Sequence, residues 1–302
     1  MMKLMKSRER HMRRKNIRLR NELTRPQKIL AAGFLGIIFL IMALPMWNVI
    51  VMSTSTALGA SSSGVKLWWD QFSLDGFRYV FEVTKLGRPF INSLFVSVTG
   101  TVIQVILSSF AGYVLIQKEL PGRKLITSFI MLTMMVPGDL TLISVYIMNR
   151  QLDLLNTYSG LILNGLISGF SILLMRNYFT SVPYSLAESA RIDGASEFCI
   201  FSRIYLPISS PGLATVFFLE FVNKWNNIML PATLITDPDK FTLPLMLRAM
   251  ILQTGVSQSG AAMAPDNAIM AAIIISTLPL LFIYIFAQRF LLSGMTLGAS
   301  KE

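Results

Sequence analysis

The chain has 302 residues, 53% of them hydrophobic and only 14% charged. A soluble domain carries about a quarter charged residues; here the shortfall is gathered into long uncharged runs, which excludes an ordinary globular fold. One cysteine, Cys199, and one histidine, His11, are too few for an internal disulfide or a His/Cys metal site, and the net charge of +11 is too unevenly placed to read as a nucleic-acid surface.

Much of that charge lies in residues 1–28, which hold eleven Lys and Arg against Glu9 and Glu22. This segment reads as a cytoplasmic tail drawn to anionic lipid headgroups. The apolar run behind it is too long for a signal-peptide core and is followed by no small-residue cleavage site, so it reads as a retained first span.

Nearly uncharged stretches then recur at Ile29–Ser53, Phe90–Gln117, Leu125–Asn149, Thr157–Met175, Gly212–Thr236 and Ala268–Gln288. Each can cross a bilayer, which takes roughly 20 apolar residues because hydrocarbon offers no partner to an open backbone. The expectation is an all-α, polytopic membrane protein of about six spans. Its membrane domain covers 29–292, between the basic tail and a C-terminal tail at 293–302. Pro45, Pro137 and Pro231 fall inside spans and mark kinks. With the N-terminus inside, the outer segments hold Lys66, Arg78, Lys85, Arg88, Arg150, Lys240 and Arg248. Lys224 lies within a span, and the other 19 of the 27 basic residues are inside. The positive-inside rule thus puts both termini in the cytoplasm. Two outer connections are long. The aromatic residues of 54–89 suit an interfacial belt or contact with an external protein, and Phe241–Leu252, broken by Arg248, is too short and too charged to span.

The inner connection 183–211 carries the strongest pattern. Pro183 suits a helix start, Gly194 a left-handed helix end, Ser196 a second cap, and Pro207 a limit to the second helix. The result is a compact two-helix knob. Its charged set, Glu188, Arg191, Asp193, Glu197 and Arg203, alternates with Ile192, Phe198, Ile200, Phe201 and Ile204. So many large apolar residues on a short loop point to docking onto protein.

Glu188-Ser189-Ala190, then Asp193-Gly194-Ala195, then Ile204-Tyr205-Leu206-Pro207 resembles the EAA loop of bacterial ABC-importer permeases. Ser189 stands where that family usually has alanine. Asn92-Ser93-Leu94, Leu120 to Lys124, Leu155-Asn156-Thr157, Trp225-Asn226, Thr242-Leu243-Pro244 and Gly294 to Ala299 are similar, in the same order, to the maltose-type carbohydrate permeases. The resemblance implies that Glu188, Ala190, Arg191, Asp193, Gly194, Ala195, Phe198, Ile204, Leu206 and Pro207 form coupling helices seated in a separate ATPase, with Gly194 as the bend. It further implies a second, different permease subunit, two ATPase subunits that bind ATP and magnesium, an extracellular solute-binding protein, and a disaccharide or oligosaccharide cargo. Pro265-Asp266-Asn267 looks closer to permeases for larger oligosaccharides, and Gly294 to Glu302 is a second candidate contact with the ATPase.

The chain itself has no GxxxxGK[ST] loop and no HExxH set, so no catalytic residue and no cofactor site is expected in it. Charges inside spans are costly and either paired or functional. Glu220 and Lys224, four apart, can form an ion pair on one helix face. Alternatively Asn223, Lys224, Trp225, Asn226 and Asn227 line a pathway for a hydroxyl-rich solute, with Asp139 and Glu220 as further candidates. Met131, Met134 and Met135 read as helix packing. The rival readings are an ABC permease for an amino acid or polyamine, an ion-coupled secondary transporter using Asp139 or Glu220, and a membrane scaffold with no transport role.

Overall fold

The structure is a computed structural model that describes residues 24–62, 64–255 and 264–299. Most of the basic tail therefore lies outside the described residues, as do the side chains of Asp139, of 253–255 and of 291–299.

Fourteen α-helices and two short 3-10 segments follow one another among the described residues, with Glu197–Ile208 taken as one helix, and the only β-type pairing there is an isolated bridge between Ser55 and Phe72. Three helices are long and apolar enough to cross a membrane: α1 (Arg25–Ser53), α4 (Gly87–Ile116) and, within α14 (Asp266–Ala299), the stretch Asp266–Phe290. Between α1 and α4 lie α2 (Ala57–Ser61) and α3 (Asp75–Glu82). Then come α5 (Arg123–Met134), α6 (Leu142–Gln151), α7 (Tyr158–Leu163) and α8 (Gly169–Thr180). The knob is α9 (Tyr184–Ile192) and α10 (Glu197–Ile208). It leads into α11 (Ser210–Trp225), α12 (Met229–Leu234) and α13 (Leu243–Gly255).

The other three apolar runs are not single helices. Leu125–Asn149 breaks at Pro137, which has no N–H to donate, and resumes through a 3-10 turn at Gly138–Thr141. Thr157–Met175 breaks after Leu163, and Ser168 starts a new helix by accepting the Ser171 N–H at 3.3 Å. Gly212–Thr236 breaks after Trp225, where the Asn227 Oδ1 accepts the Leu230 N–H at 3.1 Å. Hydropathy reports the apolar length of these runs but not the short polar caps that interrupt them.

Helix α4 is the axis of the fold. Ser93, Ser97, Thr101, Gln104 and Ser108 recur at helical spacing along it, and all are buried. Small side chains let membrane helices approach closely: a Cβ at Gly112 would stand 2.9 Å from the Arg176 backbone nitrogen of α8, and one at Gly212 of α11 only 2.4 Å from the Tyr178 ring.

The short family-like motifs act as staples. The Asn92 amide donates to the carbonyls of Asp239 and Phe241, each at 3.0 Å, and the Ser93 hydroxyl accepts the Leu243 N–H at 2.6 Å. Asn156, at φ 59°, accepts the Asp237 N–H at 3.0 Å. The Asn267 amide donates to the Ser55 carbonyl at 3.0 Å. These bonds satisfy irregular backbone between helices, which a membrane protein must do within itself. Of the three methionines of α5 and its end, Met134 packs against Gly169 of α8 as expected of helix packing, while Met131 and Met135 are exposed.

Candidate functional site: the knob and the polar cavity

The knob forms as its sequence suggests. Gly194 has φ +83°, in the left-handed region that favours glycine, and it turns the chain between α9 and α10. Ser196 caps α10 by accepting the Cys199 N–H at 3.3 Å. Pro207 does not end α10 but sits in its last turn. Phe201–Tyr205 widens to a π turn, in which the Leu206 N–H donates to the Phe201 carbonyl five residues back, and α10 then meets α11 at a bend of 77°.

The apolar residues of the knob divide in two. Ile192 is exposed, at 82%, as are Glu188, Asp193 and Pro207, whereas Phe198, 68% exposed, borders Phe201 and the apolar groove between α4 and α11. Ile200 and Phe201, expected on the docking face, are instead buried with Tyr113, Met175, Phe179 and Tyr205, and Ile204 and Leu206 pack against them. The reason is periodicity: a three-turn helix lying on the bundle must spend one face on its own foundation. Ala190, Arg191 and Ala195 are half-buried between the two faces.

Arg191 and Glu197 tie the knob to the membrane helices. The Arg191 guanidinium donates to both Glu197 oxygens, at 2.6 and 3.2 Å, and to Gln117 Oε1 at 3.1 Å. The buried Tyr113 hydroxyl donates to Glu197 Oε2 at 2.5 Å. These bonds, Arg191's first, hold the Glu197 carboxyl below its usual pKa, and Glu197 holds Arg191 above its own. The sequence reading missed Tyr113 and Gln117. They lie at the end of an apolar run, and nothing local marks them as partners of a loop some eighty residues on.

In the membrane region the helix breaks surround a polar cavity of about 230 Å³. Four of the seven expected pathway residues line it: Glu220, Asn223, Lys224 and Asn227. Trp225 does not. It is 1% exposed, stacks on Phe221 with ring centres 5.6 Å apart, and donates from Nε1 to the Ser276 carbonyl at 3.0 Å. One residue of turn, about 100°, points it away from the cavity and into the core shared with α13 and α14. Asn226 is exposed and lies outside the lining, and the Asp139 side chain is outside the described ones. Glu220 and Lys224 form no direct ion pair: Glu220 accepts from the Ser171 hydroxyl, and the Lys224 ammonium donates to the Gly165 carbonyl freed by the break after α7. Gln104, not singled out by sequence, joins the polar wall with Ser93 and Thr242, which the sequence marks only as parts of family-like motifs.

The family model for binding-protein-dependent transport system inner membrane components matches residues 104–297. The chain belongs to that family. The permease protein YtcP of a polygalacturonan/rhamnogalacturonan transport system in Bacillus subtilis (strain 168) is 33% identical over 280 residues, covering 90% of this chain and 97% of that one. The arabinooligosaccharides transport system permease AraQ of Halalkalibacterium halodurans is 29% identical, covering 90% and 96%. A chain in the crystal structure of a bacterial ABC transporter involved in the import of the acidic polysaccharide alginate superposes with a TM-score of 0.80 at 26% identity, covering 89% of this permease and 98% of that chain. The all-α membrane fold and the ABC-permease resemblance read from the sequence both stand.

Proposed function

We propose that this permease carries an oligosaccharide through the membrane by alternating access, driven by a separate ATPase that seats the knob at 183–211. The observation that carries the reading is the two-faced knob: an exposed Glu188–Ile192 surface, one turn apart on α9, and on the other side a buried foundation bonded through Glu197 to Tyr113 of α4. A push on the outer face is thereby delivered to the helix that walls the cavity. An ordinary solvated loop has no use for an exposed Ile, nor for an ionic pair tethered to a buried tyrosine.

The relatives named for polygalacturonan/rhamnogalacturonan and arabinooligosaccharide transport support an oligosaccharide cargo. A second alginate-transporter structure, in complex with an alginate pentasaccharide-bound periplasmic protein, shares the fold at 18% identity and a TM-score of 0.59. In this reading the working assembly holds this chain, a different second permease, two ATPase subunits that bind ATP and magnesium, and an external solute-binding protein. Both termini and the knob lie on the cytoplasmic side, in keeping with the bias of Lys and Arg. The segment from Gly294 onward is a second contact with the ATPase.

The test is to purify the chain with its co-expressed neighbours and to measure ATPase activity and uptake in proteoliposomes. Glu188→Ala and Gly194→Pro are compared with the unaltered chain. Co-purification of a nucleotide-binding subunit, released or uncoupled by either change, is the expected result. No associated ATPase and silent substitutions would remove the reading and return Glu220 and Asp139 to candidacy as ion-coupling groups.

A further inference from the structure

Lys224 holds a position the fold has cleared for it. Its side chain leaves α11 and crosses α4 at Gly100, where a Cβ would stand 3.2 Å from the lysine Cδ. Its ammonium ends beside Gly165, where a Cβ would stand 2.5 Å from Nζ. Two different elements thus give up a side chain to admit one cation. Of its three N–H donors one meets the Gly165 carbonyl. No carboxylate lies within ion-pair distance of it among the described residues. The nearest candidate, Glu220, turns its Oε1 to Ser171.

The walls beside it are short of donors. Gln104, 1% exposed, leaves its Oε1 without a partner, and Thr242, 5% exposed, leaves its hydroxyl oxygen without one. Both line the same cavity. A cation held away from bulk water gains most from a full counter-charge, and orphaned acceptors gain from hydroxyl donors. A neutral sugar supplies only the hydroxyls. A sugar acid supplies both.

We propose that the cavity between α4, α7 and α11 is a subsite for an acidic oligosaccharide, with Lys224 taking a uronate carboxylate while Gln104 and Glu220 accept sugar hydroxyls. This rests on the oligosaccharide reading above and adds the charge class of the cargo and the residue that recognises it. Gly100 and Gly165 act as positioning residues, since a methyl group at either displaces the ammonium.

The test uses the whole complex in proteoliposomes with its binding protein. ATP-driven uptake of short oligogalacturonides is compared with uptake of their methyl esters, which keep size and hydroxyls but lose the charge, and of neutral arabino-oligosaccharides. The binding protein is the same throughout, so a change in the acid-to-ester ratio on altering Lys224 reports the permease. Lys224→Gln is expected to cut acid uptake tenfold or more and to leave ester uptake within twofold, and Lys224→Arg is expected to restore most of the acid preference. Equal loss of acid and ester in Lys224→Gln would overturn the proposal and leave the lysine as a staple for the Gly165 carbonyl. So would unchanged acid uptake, or an unaltered transporter that carries only the neutral sugars. If the unaltered complex carries no oligosaccharide at all, the cargo reading itself fails, and this inference with it.

Discussion

The knob and the cavity are built from opposite materials. The knob is anchored by aromatic packing, Tyr113 against Phe201 at 5.1 Å and Tyr205 at 5.0 Å, and presents its free apolar residues outward. The cavity is walled by Ser, Asn, Gln, Glu and Lys where helices break, with unmet hydrogen-bonding capacity facing inward. A part that transmits force needs a stiff, well-satisfied foundation. A part that must hold a solute and then release it needs groups left unpaired until the solute arrives. Helix α4 serves both, through Tyr113 at one end and Ser93, Ser97 and Gln104 further along.

The sharpest way to break this division is to disturb each region's core and ask which activity fails. Trp225→Ala empties a buried site and is expected to cost about 3–5 kcal/mol of stability, as other large-aromatic truncations do. The check is the thermal melt of the detergent-solubilised complex. If Trp225 belongs to the core, uptake per folded complex stays near normal. A normal melt with lost uptake would place it in the pathway after all.

Gly194→Val comes next in size. A left-handed conformation costs a residue with a side chain about 1–2 kcal/mol, which corresponds to roughly a tenfold loss of engaged complex. The measurement is ATPase co-purification, with α11 and the cavity expected to remain intact by sugar-binding assay. Tyr113→Phe is milder: it removes one hydrogen bond to a carboxylate that is 55% exposed, which holds its worth to about 1 kcal/mol. It should leave the ATPase bound and active while fewer sugars cross per ATP.

The smallest effect is on pH. Arg191 and Tyr113 hold the Glu197 carboxyl below its usual range, so the tether's contribution is present above the ordinary carboxylate pKa and is lost only as pH falls through the lowered one. Arg191→Met should move that loss upward into the ordinary carboxylate range, read as coupling efficiency against cytoplasmic-side pH. An unshifted profile would remove Arg191 as the cause.

The two regions also differ in how far they can be read from residues alone. The knob is local: Pro183, Gly194 and Ser196 each act within a few residues, so its helices and bend follow from turn and cap chemistry. Ile200 and Phe201, with Ile204 and Leu206, were expected on the docking face because their foundation, Tyr113 and Phe179, is distant in the chain. The cavity is non-local. It exists because α7 and α8, α11 and α12 are separate helices, and a hydropathy run hides a break capped by a single Ser168 or Asn227. The Glu220–Lys224 spacing allowed an ion pair, but Ser171 and Gly165 on other elements took each partner. Trp225 was misplaced by one residue of helical turn.

The most direct test of the central claim, that the Tyr113–Glu197–Arg191 tether carries force from knob to cavity, is the ratio of sugar transported to ATP hydrolysed in proteoliposomes bearing Glu197→Gln. The account predicts that hydrolysis persists, the ATPase stays bound, and the ratio falls severalfold. An unchanged ratio, or uptake and hydrolysis falling together in proportion, would contradict it.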